Sequence, residues 1–251
     1  SAAAGGVRLT DGVVFPFQIE PTSLGFDLVF IPGEMKEGHS MGSFWEYSWE
    51  QADPERIAKF IEAFDTRLDR LTGILRRCGV QTVCDAGCGC GAYAAKLAAN
   101  GFSVSGFDVS ARAVEIAQAL LERESLRAEL KTAGIISTGY AESTFDGVIA
   151  RDVLDHLRRA DAAAAIKELC RITKPGGIVL FTVDSLDEEY QTEPHTVNAD
   201  GDYVYIGGKW KGMVFHPYDA ETVRKILPAG MMWEILENRG ELAVLLRKNA
   251  E

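Results

Sequence analysis

Apolar positions along the chain change period repeatedly, and the changes mark out alternating strands and helices. Thr82 to Cys84 is a short apolar strand that runs into glycines at 87, 89 and 91, and Ala92 to Ala99 then reads as two turns of amphipathic helix. Phe102 to Phe107 is a second strand ending at Asp108, Ala111 to about Glu124 a helix, and Leu126 to Leu130 a third strand. The segment Phe145 to Ala150 is a fourth. Ala162 to Thr173 is a helix, and Lys174-Pro175-Gly176-Gly177 turns the chain sharply into the apolar strand Ile178 to Val183. A helix at Ala220 to Leu227 precedes two last strands, Met231 to Glu237 and Leu242 to Arg247, which are expected to run antiparallel across Asn238 to Glu241.

Upstream, Asp53-Pro54 marks a helix start, and Ile57, Phe60, Ile61, Phe64, Leu68, Leu71, Ile74 and Leu75 recur at helical spacing to about Cys78. This helix is expected to cover the sheet. Residues 1–6 read as a tag or a disordered end. Residues 7–53 form a strap or lid in which Val13 to Ile19 and Phe26 to Ile31 could pair as a hairpin. Such a strap would cover the core, make a dimer contact, or close over substrate. Residues 54–251 form the main domain. Residues 184–218 interrupt its α/β rhythm, and long insertions after strands often carry specificity. Tyr190, His195, Tyr203, Tyr205, Lys209, Trp210 and His216 there are either substrate-facing or exposed hairpin decoration.

A chain of 251 residues suits one α/β domain with an accessory segment. Its net charge of −11 makes nucleic acid an unlikely partner. The odd set Cys78, Cys84, Cys88, Cys90 and Cys170 reads as reduced small residues in a cytoplasmic protein, without disulfides or a metal site. No apolar run approaches the roughly eighteen residues of a membrane helix, and no secretory leader pattern is seen. A monomer or homodimer is expected.

The chemistry concentrates at Asp85-Ala86-Gly87-Cys88-Gly89-Cys90-Gly91. Glycines permit left-handed dihedrals and close ligand approach, and the following helix presents unpaired N–H groups. Gly87, Gly89 and Ala92 also satisfy the looser dinucleotide pattern, which leaves a nicotinamide-dependent oxidoreductase as a rival reading. Asp85 argues against it, because a carboxylate there accepts from an ammonium or hydroxyl but repels a pyrophosphate. Asp108 lies seventeen residues beyond Gly91, near the spacing at which a carboxylate binds ribose hydroxyls.

The D-x-G-x-G-x-G loop resembles the first motif of the class I S-adenosylmethionine-dependent methyltransferases, and Gly106 to Ser110 resembles their second. That resemblance implies a Rossmann-like three-layer α/β sandwich with a seven-stranded, mostly parallel sheet and an antiparallel C-terminal strand. It implies S-adenosyl-L-methionine as cofactor, with Asp85, Gly87, Cys88, Gly89 and Gly91 at its amino-acid end and Asp108 and Val109 at the ribose. After the third strand the family commonly places an acidic or polar side chain on adenine. Here Lys131 to Ile136 has no carboxylate, so Gly134 and Ile135 are expected to serve by backbone and apolar contact. Tyr47 and Trp49, in the aromatic group Phe44 to Trp49, are candidates to cap the cofactor.

Phe145 to Leu157 is similar to the family's fourth-strand segment, which puts Arg151, Asp152 and His156 at the ligand edge of the sheet. Arg151, His156 and His216 are the candidate catalytic residues, an imidazole being able to accept a proton near neutrality. Arg171 to Gly177 resembles the rim of these enzymes, and Phe215 to Asp219 resembles tellurite-resistance-like and other small-molecule methyltransferases. The expected activity is therefore methyl transfer to a small-molecule acceptor. A catalytically silent S-adenosylmethionine-binding regulator and a tRNA wobble-base methyltransferase are the alternatives.

Overall fold

A computed structural model describes residues 7–10, 41–53, 57–58, 71–238 and 241–250. In chain order the elements are β1 (Val7–Thr10), α1 (Met41–Glu50), a helical segment at 71–77 (α2), β2 (Thr82–Ala86), α3 (Ala92–Ala99), β3 (Ser103–Asp108), α4 (Ala111–Arg123), β4 (Glu129–Thr132) and β5 (Phe145–Ala150). There follow α5 (Arg159–Ile172), β6 (Thr173–Asp184), α6 (Glu188–Thr192), β7 (His195–Val197), β8 (Tyr203–Tyr205), β9 (Val214–Phe215), α7 (Ala220–Arg224), β10 (Met232–Asn238) and β11 (Glu241–Arg247). The hairpin expected within 13–31 and most of the helix expected from Asp53-Pro54 lie outside the described residues.

The main sheet runs β1-β10-β11-β6-β5-β2-β3-β4. The five strands from β6 to β4 are parallel, and β11 is antiparallel to both β6 and β10. This is the expected seven-stranded Rossmann-like sheet, to which β1 adds an eighth strand, antiparallel to β10. Alternate residues of a strand face opposite layers. Val83, Ile149, Leu180 and Leu245 therefore pack with Leu75 of α2 and Leu97 of α3, while Cys84, Val148, Phe181 and Val244 pack with Leu169 of α5 and Val223 of α7. Helices on both faces explain the near-continuous apolar runs of the central strands.

Two expectations need correcting. The third strand is Glu129–Thr132 and not Leu126 to Leu130, because Leu126 packs beside α3 and α4 while residues 129–132 take up the ladder with β3. Lys174 to Gly177 lies inside β6 and not in a turn before it. Phe145 pairs with Thr173 and Gly147 with Ile178, so these residues form a bulge, with Gly176 at φ 74° and a Cβ on Gly177 only 2.6 Å from the Asp146 carbonyl.

The 184–218 segment contains α6 and a small antiparallel sheet, β7-β8-β9. It is not exposed decoration: Tyr205, Trp210, Met213 and Phe215 are buried with Phe44 of α1. On the opposite side of α1, Trp49 is buried with Cys90, Ala92 and Ala113. Helix α1 thus joins the insertion to the glycine loop. Among the described residues no helix is long and apolar enough to cross a membrane.

Candidate active site

Strand order reverses between β2 and β5, and the carboxyl ends of these strands open the crevice where open α/β sheets bind ligands. Asp85, the last residue but one of β2, is almost fully buried, and its Oδ2 has no hydrogen-bond partner. Burial, then the charge of Asp108, pushes its carboxyl up to about 7, partly offset by the Ala94 N–H. An ionised carboxylate in such a place requires a cationic or donating partner.

The glycine loop is tied to the end of β3. Gly87 and Cys88 donate to the Phe107 carbonyl at 2.8 and 2.9 Å, and Gly89 N donates to Asp108 Oδ2 at 2.9 Å. Asp108 Oδ1 accepts from Ser110 N at 2.9 Å. Burial raises the Asp108 carboxyl, opposed by the N–H groups of Ser110, Gly89 and Val109. Each oxygen keeps a lone pair beyond these bonds. Gly91 sits at φ 81°, and a Cβ there would stand 2.7 Å from Ala117 Cβ, so its absence lets α3 meet α4. Trp49 closes on the loop, within 2.9 Å of where a Gly89 Cβ would be. Tyr47 packs instead with the aromatic cluster of the insertion.

Beyond Asp108, Val109 and Ile136 are exposed apolar side chains, Gly134 has open space about it, and Ile135 packs half-buried on the core. The Cys88 side chain is buried, and burial with the charges of Asp85 and Asp108 drives its thiol well up, so it contributes packing and a main-chain bend.

At the other wall, Arg151 is buried and pairs with Glu241 Oε1 at 3.1 Å. Desolvation opposes its charge, but Tyr93, Asp152 and Glu241 outweigh it and hold the guanidinium charged. His156 lies in a 3-10 turn, edge-on to Trp45 at 5.2 Å and facing Phe215 at 6.1 Å. Burial lowers it to about 4, so its ring is neutral at pH 7. His216 is separately anchored, Nδ1 to Asp202 Oδ1 at 2.9 Å, with Asp202 also accepting from Arg159 N. Burial lowers His216 more than Asp202 raises it.

The structure brings together Asp85, the glycines, Asp108, Val109 and Trp49 at the carboxyl ends of β2 and β3, with His156 against Trp45 and Phe215. It also places Asp155 and Asp184 beside Asp152, which sequence reasoning did not connect. Asp184 lies at the end of β6 and donates its N–H to Asp155 Oδ2 at 3.1 Å. Alternation along β6 puts Thr182 and Asp184 on one face, and Thr182 donates to Asp152 Oδ1 at 2.7 Å. That periodicity was the available signal.

Residues 83–177 match the model of a methyltransferase domain. The match covers well under half of the chain and runs from β2 into β6 of the sheet. The chain is similar to a ubiquinone biosynthesis O-methyltransferase of Methylocella silvestris, 32% identical over 97 residues that make up 39% of this chain and 37% of that one. It is also similar to the putative methyltransferase YqeM of Bacillus subtilis, 27% identical over 63% of this chain and 72% of that one. The chain thus spans well under half of the first of these relatives. The magnesium protoporphyrin IX methyltransferase of Synechocystis PCC 6803, solved with S-adenosylmethionine bound, shares the fold at a TM-score of 0.56 and 16% identity, covering 86% of this chain and all of that one.

Proposed function

We propose that this protein transfers a methyl group from S-adenosylmethionine to a small-molecule acceptor. The observation that carries the reading is the buried, unpartnered Asp85 Oδ2 beside the glycine loop. An α-ammonium group would satisfy it, whereas the diphosphate of a dinucleotide would be repelled. Asp108 retains lone pairs for ribose hydroxyls, and exposed Val109 and Ile136, with Gly134 and Ile135, offer an apolar slot for adenine. The residues present therefore fit the cofactor, which when bound supplies a sulfonium-activated methyl group.

The chain's own part is positioning and water exclusion. Trp49 packs on the glycine loop, and α1 carries it there while its Phe44 anchors the insertion. Arg151 acts by holding Tyr93 and Glu241 in place across α3, β5 and β11. His156, neutral and buried, shapes the acceptor side, and His216 braces the loop before α7 through Asp202. The placement in a small-molecule, tellurite-resistance-like branch rests on Phe215 to Asp219, and cytoplasmic location on the reduced cysteines. Incubation with methyl-labelled S-adenosylmethionine and a panel of small acceptors, with bulk tRNA included, tests the reading. Label is expected in a small molecule; label only in tRNA, or in nothing, contradicts it.

A further inference from the structure

Three carboxylates, Asp152, Asp155 and Asp184, are neighbours at the carboxyl ends of β5 and β6. Asp155 is buried at 1% exposure, and Asp152 and Asp184 are half-buried. Asp155 Oδ2 accepts from Asp184 N, Asp152 from Thr182, and Asp184 Oδ2 from the Tyr190 hydroxyl at 3.3 Å. Asp155 Oδ1 is buried with no partner, and so is the hydroxyl of Tyr218, which feels the charge of Asp155 and is itself only 1% exposed. After burial, the strongest influences on Asp155 are the like charges of Asp184 and Asp152. Tyr190, which feels all three carboxylates, stacks on Phe215 with ring centroids 3.6 Å apart.

Buried carboxylates beside one another are unfavourable unless a cation or protons come between them. Among the described residues no group of three or more His, Cys, Asp and Glu side chains could hold a metal ion. A phenolate or carboxylate acceptor would add a negative charge to the group, and a neutral hydroxyl brings no positive charge to balance an ionised Asp155 or Asp184. An alkylammonium supplies both a positive charge and several N–H donors, and the neighbouring aromatic rings favour a cation and its apolar arm.

From this juxtaposition we propose that the methyl acceptor is a primary or secondary organic amine carrying an apolar arm, bound as its ammonium by Asp155 and Asp184 beneath Tyr190. The inference rests on the methyl-transfer reading above. The ammonium first gives one proton to Asp184. The freed nitrogen lone pair then forms the N–C bond as the donor's S–C bond breaks and its electron pair leaves with sulfur. The methylated nitrogen carries the positive charge, and the proton on Asp184 passes to solvent.

Binding is measured by tryptophan fluorescence in saturating S-adenosylhomocysteine, which carries no sulfonium. Butylamine and 2-phenylethylamine are the probes, each compared with its matched alcohol and carboxylate. At least one amine is expected to bind about tenfold or more tighter than both its counterparts, as loss of a charge-assisted contact implies. Asp155→Asn and Asp184→Asn, the second covering the case in which the first fails to fold, should each abolish that preference while leaving alcohol binding in place. Amines that bind no better than alcohols, that do not bind, or that keep their preference in a folded Asp184→Asn protein overturn the inference. Titration of S-adenosylhomocysteine into the same samples separates the two readings. If it binds and the amines fail, only the amine assignment falls; if it does not bind, the cofactor reading falls.

Discussion

Replacing Asp85 with Asn should make the ligand-free protein more stable and its cofactor binding weaker. The carboxyl is 1% exposed, and burial with the Asp108 charge lifts it from the ordinary 3.8 to about 7. The folded chain therefore holds a proton between pH 3.8 and 7 that the unfolded chain has released. Stability falls as pH rises through that window and is level above it, and the full span corresponds to at most about 4 kcal/mol. Asp85→Asn carries no charge at any pH and lacks this fall. Urea denaturation should show the variant ahead of wild type by up to about 4 kcal/mol at pH 8, with the gap closing toward pH 4. S-adenosylhomocysteine should bind it about 10- to 100-fold more weakly, the equivalent of one charge-assisted hydrogen bond of about 1.5–3 kcal/mol. In wild type, affinity should also drop below pH 7 as a proton competes with the ligand's ammonium. A wild type whose stability does not fall between pH 4 and 7, or a folded variant with unchanged affinity, would refute the reasoning.

Asp108→Ala should weaken adenosyl ligands by about 1–3 kcal/mol in calorimetry, and unchanged affinity would remove Asp108 from the site. Gly91→Ala would put a Cβ 2.7 Å from Ala117 Cβ at a left-handed φ, so a loss of about 2–3 kcal/mol is expected in chemical denaturation; a loss below about 0.5 kcal/mol would mean that α3 and α4 separate freely. At the opposite edge of the sheet, desolvation of Asp146 is outweighed by Lys174, Thr82 and Gln81, which together hold its carboxyl down to about 2. Its contribution is present above pH 3.8 and is lost as pH falls through about 2. With solvent screening, Asp146→Asn should cost about 1 kcal/mol at pH 7 and only a small fraction of that at pH 2, read from urea midpoints.

What could be read in advance follows the range of the interactions. The D-x-G-x-G-x-G loop, Asp108 and the strand-helix alternation are local patterns, and the alternation gave the parallel sheet with its loop after β2. The third strand slipped by a few residues because Leu126 is as apolar as a strand residue yet packs under a helix. The bulge at Lys174 to Gly177 read as a turn because its residues are turn formers, and only the resumed pairing of Gly147 with Ile178 keeps them in the strand. Contacts made across long separations left no periodic trace: Trp49 on Gly89, Trp45 on His156, and Arg151 with Glu241. No local pattern links Asp155 and Asp184, and their burial depends on how β6 and the turn after β5 meet.

The most direct measurement is calorimetric titration of the protein with S-adenosylmethionine and S-adenosylhomocysteine, with NAD as control. Saturable one-to-one binding of both adenosyl ligands and none of NAD is the expected result. Binding of NAD, or of neither adenosyl ligand, would contradict the assignment of Asp85 and the glycine loop.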